Sequence, residues 1–267
     1  MSFLLQLRAL FTKKFTIILV STLTSITLLQ GLRLHQYMGI YEVRGNIIDF
    51  ILFTIGGWES PNLFTFLLTW FCLNFIFLYA SVRSRIVIEN FSEFLTTRHR
   101  NRVCTWLSNC VTQFIIALIL FIMYFFIVVG VGMIIFDGKI EISAYTQEFY
   151  SNWVSLLNVG VLKMAGIVFA IFVSGLYAIF IVSQVALLIC RNTMQAIMSL
   201  AGIMLIGAIS FIYMGLPRIF AIVLYTSTTS LAVVSSDVLQ AILINIMIGV
   251  LSTILGGVYI RKIDMCY

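Results

Sequence analysis

Few residues in this sequence have the type and spacing to do covalent or acid–base chemistry. It holds two histidines, His35 and His99, and five cysteines. No HExxH pair exists for a zinc protease. The two histidines fall in predicted loops on opposite sides of a membrane, so no Ser-His-Asp set assembles. A phosphate-binding loop also fails: Gly132…Gly138-Lys139 has one residue too many, and Ile140 stands where Ser or Thr is required. Cys72 and Cys110 lie in or at the edge of apolar runs. Cys104, Cys190 and Cys266 fall on the predicted inner face, so no disulfide framework is expected. What stands out is a basic knot, Arg98-His99-Arg100-Asn101-Arg102, followed by Trp106. Ahead of it run an apolar stripe (Val87, Phe91, Phe94, Leu95) and a charged face (Arg85, Glu89, Glu93) at helical spacing.

The elements that position these residues follow from composition. The chain is 267 residues long, 61% hydrophobic and only 10% charged, with mean hydropathy +1.10. A soluble domain carries about 25% charged residues. Six stretches are long and apolar enough to span a bilayer: 15–32, 63–82, 111–136, 164–190, 193–216 and 238–260. None contains Asp, Glu, Lys or Arg, so all 26 charges sit outside them. The runs are continuous and too long for the alternating strands of a membrane barrel. The expected fold is all-α, a single polytopic domain over 1–267 with six transmembrane helices. The first run lacks a cleavage site and reads as a permanent helix rather than a signal peptide. Ile47–Gly57 is too short to cross and carries Asp49, so it reads as interfacial. Leu216–Val234 holds Pro217, Arg218 and a Ser/Thr-rich run, and reads as a re-entrant hairpin between spans five and six.

Charge sets the orientation. With both termini in the cytoplasm, eleven Lys and Arg lie inside and five outside, while three acids lie inside and seven outside. That matches the positive-inside rule. The basic balance therefore reflects topology and anionic inner-leaflet lipid, with no nucleic acid implied. A multi-pass protein of the cell membrane is expected.

Three further patterns carry expectations. Phe3, Leu4, Leu7, Leu10 and Phe11, flanked by Arg8, Lys13 and Lys14, describe an amphipathic N-terminal helix on the inner face. Gly166, Ala170, Ser174 and Ala178 in span four, and Asn245, Gly249, Thr253 and Gly257 in span six, fall at four-residue spacing and mark close helix packing. Asn74, Gln184 and Asn245 are uncharged polar residues deep in spans; they bond between helices or line a translocation path. The loop 83–109 reads equally as a docking element for a cytoplasmic partner or as a juxtamembrane belt whose arginines meet phosphate headgroups, with Trp106 at the interface. No span holds an ionisable acid, base or histidine, which argues against a proton- or ion-driven pump.

By layout the chain resembles the membrane permease subunit of a bacterial type-2 ABC transporter. The features are the N-terminal elbow, the basic loop with Arg98-x-Arg-x-Arg-x-x-x-Trp106, the apolar re-entrant piece between spans five and six, and the tail Gly257-Val-Tyr-Ile-Arg-Lys-Ile-Asp264. The inner turn between spans four and five is very short and departs from that pattern. The resemblance implies a separate cytoplasmic ABC ATPase subunit, which would hold ATP and Mg, with no cofactor in this chain. It implies a second permease copy, identical or related, and contact with membrane lipids. It makes 83–109 the coupling loop, with Val87, Phe91 and Phe94 as the buried docking face. Glu93, Arg98, Arg100, Arg102 and Trp106 complete the docking set. It implies a transporter subunit rather than an enzyme. Two other readings stand beside it: an ATPase-independent secondary transporter, and a membrane immunity or sensor protein that binds a peptide.

Overall fold

The computed structural model describes residues 2–40, 44–56, 63–90, 102–136, 138, 143, 161–190, 192–214, 225–226 and 238–264. Among them the chain is helical, with no strand. Helix α1 is Ser2–Leu10 and α2 is Lys13–Ile40. A short α3, Ile47–Ile51, runs on as a π-turn, Leu52–Gly56. The remaining helices are α4 (Leu63–Asn90), α5 (Arg102–Ile135), α6 (Val161–Ile189), α7 (Thr193–Met214) and α8 (Val238–Asp264). Within the described residues, stretches of α2, α5, α6 and α8 are long and apolar enough to cross a membrane. The chain is thus compatible with a multi-pass membrane protein.

The helices outrun the apolar runs that announce them. α2 continues through Arg33 and His35, α4 through Arg83 and Arg85, and α5 begins at Arg102. A 34-residue helix such as α5 is about 51 Å long at 1.5 Å per residue. The hydrocarbon core is only about 30 Å thick. Much of the loop expected over 83–109 is therefore helix, leaving 91–101 between α4 and α5.

The core is aromatic. Phe172 of α6 meets Trp70 and Phe77 of α4, and Phe121 and Tyr124 of α5, at centroid distances of 5.3–6.2 Å. The Phe77 pair is edge-on at 90°, an arrangement that sets the positive ring edge on the negative face. All five residues are buried. α8 packs more extensively on α6 than any other pair of elements.

The stretch 47–56 is packed inside the protein: Phe50, Asp49, Thr54 and Ile55 are each 0% exposed. Asn46 caps it, accepting from the Ile48 and Asp49 amides, while Asp49 accepts from the Asn46 amide. Asp49 also accepts from the Ser143 hydroxyl at 2.6 Å. A polar group that deep is tolerable only when so bonded. Room for Phe50 comes from Gly132 of α5, where a Cβ would stand 2.8 Å from the ring. Helix α1 turns Gln6 and Leu10 inward, with Leu7 half-buried, while Leu4 and Phe11 of the expected stripe are 68% and 39% exposed. The helix packs on α4 and α5.

Candidate functional site: a buried polar network between four helices

Toward the Arg83 end of the bundle, α1, α4, α5 and α6 each contribute polar side chains to one interior network. α4 supplies Ser81, Ser84 and Arg85, whose spacing of three and four residues puts them on one face. α5 supplies Asn109 and Gln113, again four apart. α6 supplies Ser183 and Gln184, and α1 supplies Gln6. All but Arg85 are buried.

The bonds close on one another. The Ser81 hydroxyl donates to Gln113 Oε1 at 2.9 Å and lies 3.3 Å from the Ser183 hydroxyl. Gln113 Nε2 donates to the Ser84 hydroxyl at 3.0 Å. Gln184 Nε2 donates to the Ser81 hydroxyl at 3.2 Å. Its own Oε1 accepts from Asn109 Nδ2 at 3.2 Å and from Arg85 at 3.4 Å. Arg85 reaches the Gln184 carbonyl oxygen at 2.7 Å. Gln6 Nε2 donates to Asn109 Oδ1 at 2.8 Å. Away from water, each unmade bond would cost the full desolvation of a polar group. The network therefore fixes the register of four helices and seats α1. Apart from Arg85 it is built of amides and hydroxyls, none of which carries a charge near neutral pH.

A second polar contact sits deeper. Tyr225 and Thr226 form a turn that is 2% and 0% exposed. The Thr226 hydroxyl donates to Asn74 Oδ1 of α4 at 3.1 Å. Asn245 of α8 donates through Nδ2 to the Tyr225 carbonyl and to the Ser174 hydroxyl of α6, both at 3.1 Å. The turn presses so closely on α6 that any Cβ at position 175 would collide with the Tyr225 carbonyl, so Gly175 is required there.

The residues singled out by sequence are distributed as follows. Asn74, Gln184 and Asn245 are each buried at 1% or less and bonded within the chain. Of the small-residue stripes, Ala178, Asn245 and Gly249 are buried. Ser174, Thr253, Gly257 and Ala170 are half-buried. Gly166 is exposed with open space about its Cα. Trp106, expected at a docking surface or headgroup interface, is 3% exposed. Its indole N–H donates to the Thr253 carbonyl of α8 at 2.8 Å. Its ring lies flush on Gly256, where a Cβ would collide with it. Trp106 thus packs α5 on α8 and offers no face to a partner. Phe91, Glu93, Phe94, Arg98 and Arg100 lie outside the described residues, as do the side chains of Val87 and Arg102. Among the described residues no three of His, Cys, Asp and Glu converge as metal ligands.

Sequence reasoning missed Gln6, Ser81, Ser84, Asn109, Gln113 and Ser183. The available signal was periodicity: Asn109 and Gln113 share a helix face, and Ser81 shares one with Ser84 and Arg85.

Comparison with family models, curated proteins and solved structures returns no match.

Proposed function

We propose that this chain is the membrane-spanning permease subunit of an ATP-driven ABC exporter, docking a separate cytoplasmic ATPase and pairing with a second permease copy. In this reading six helices cross a bacterial plasma membrane: α2, α4, α5, α6, α7 and α8. Both termini lie in the cytoplasm, and α1 is an elbow on the inner face. The 22 residues of α7 are about 33 Å long, enough for one crossing.

The observation that carries the reading is the mount of α1. An amphipathic N-terminal helix is tied through buried Gln6 and Asn109 to the helix ends that flank 91–101. A force applied at 91–101 would therefore be borne by α1, α4, α5 and α6 together rather than by one loose loop. On this reading Val87, Phe91 and Phe94 form the apolar docking face and Glu93, Arg98, Arg100 and Arg102 its charged rim. Trp106 is no longer part of it. The buried Tyr225-Thr226 turn supports a re-entrant hairpin over 216–234. Asn74, Gln184 and Asn245 are engaged inside the subunit, which favours a path between two copies over one through a single chain.

The test is charge reversal. Arg98→Glu with Arg100→Glu should abolish co-purification of the ATPase subunit while membrane insertion is unchanged. Undiminished co-purification from correctly inserted protein refutes the docking assignment.

A further inference from the structure

The joint between α1 and α2 gathers four cations, and among the described residues no acid meets them. Arg8, Lys13 and Lys14 are exposed, and the first acidic residue of the chain is Glu42. Arg83 of α4 is brought to the same joint. Its NH2 lies 3.5 Å from the Thr12 hydroxyl, and its guanidinium carbon stands 4.5 Å over the Phe15 ring. Its Nε is buried with no acceptor among the described residues. The guanidinium is thus held in place by Thr12 and Phe15 while part of its donor capacity goes unmet. Around the cations stand large apolar side chains that water does not favour: Leu4 and Ile17 at 68% and 60% exposed, Ile18 at 61% and Phe11 at 39%.

We infer that this joint is a binding site for an anionic phospholipid, with Lys13, Lys14 and Arg83 on the phosphate and Phe11, Ile17 and Ile18 along the acyl chains. Charge complementarity selects the lipid class. Like charges share this short joint, and an anion offsets their repulsion where a zwitterionic headgroup leaves it in place. The mixed apolar collar selects a lipid over a free anion, since inorganic phosphate would leave those side chains unpartnered. The inference needs only that the joint lies at a membrane surface, and it stands whether or not an ATPase docks.

Native mass spectrometry of the full chain released from nanodiscs of mixed phosphatidylglycerol and phosphatidylcholine tests it. Phosphatidylglycerol should be retained in preference, and Lys13→Gln with Lys14→Gln should weaken its retention about fivefold per charge removed. Both lysines are exposed, so the exchange leaves packing intact. Lys163→Gln, at an exposed position on α6, should change nothing. Arg83→Gln should weaken retention further. Equal retention of the two lipids, equal loss with Lys163→Gln, or full displacement of the lipid by inorganic phosphate would each overturn the assignment.

Discussion

Gln184 ties α6 to both α4 and α5, accepting from Asn109 and Arg85 and donating to Ser81. Replacing it by leucine removes bonds to three partners at once and leaves buried Asn109 Nδ2 without its acceptor. An orphaned buried group costs about 1–3 kcal/mol, whereas a single interhelical bond in a membrane protein is worth about 0.6 kcal/mol. Gln184→Leu is therefore expected to lower the thermal midpoint in detergent clearly more than Ser183→Ala, whose partner Ser81 keeps other bonds. Equal shifts from the two variants would mean that the network is a set of independent pairs. The same contrast explains why the network was only partly legible. Gln184, Asn74 and Asn245 stand out because each is a lone polar residue in an apolar run. Gln6, Asn109 and Gln113 sit before or at the start of apolar runs, where polar residues are ordinary. Only their convergence in space marks them.

At the scale of elements, α8 is locked to α5 by one side chain. Trp106 fills the notch that Gly256 leaves and bonds the Thr253 carbonyl. Gly256→Val should destabilise by about 1–3 kcal/mol through overpacking. Trp106→Ala should cost about 3–5 kcal/mol through the lost ring. The double variant should cost less than their sum, because the valine occupies the vacated space. Thermal unfolding in detergent reads all three, and strict additivity would show that the two residues do not share a site. Trp106 also illustrates what sequence leaves out. A tryptophan after a basic run fits a headgroup belt, and nothing in one dimension shows that a glycine 150 residues later receives it. Element existence was readable from the charge-free runs. Element ends were not, because α2, α4 and α5 continue as helix past their apolar segments, held by neighbours such as Arg33 on Thr69. The burial of 47–56 was hidden for a related reason. Asp49 looks like a surface residue until its bonds to Asn46 and Ser143 are seen.

For the whole molecule, the first question is topology. Cys104 is exposed near the start of α5, and Gly138 is exposed just beyond its end. With the termini inside, a membrane-impermeant maleimide applied to intact cells should label Gly138→Cys and leave Cys104 untouched until the membrane is permeabilised. The opposite pattern would invert the orientation. The proposed architecture also requires partners, a second permease copy and an ATPase subunit. α8 still turns Leu243, Met247, Val250 and Ile254 outward, toward lipid or a second copy.

The central claim is that the chain works as one subunit of a larger ATP-driven assembly. Mild-detergent capture of the tagged chain from its native membrane, with mass spectrometry of the bound proteins, addresses it most directly. A Walker-type ATPase in stoichiometric amount, together with a second permease copy, is the expected result. A chain that purifies alone, or with itself only, would contradict the permease reading.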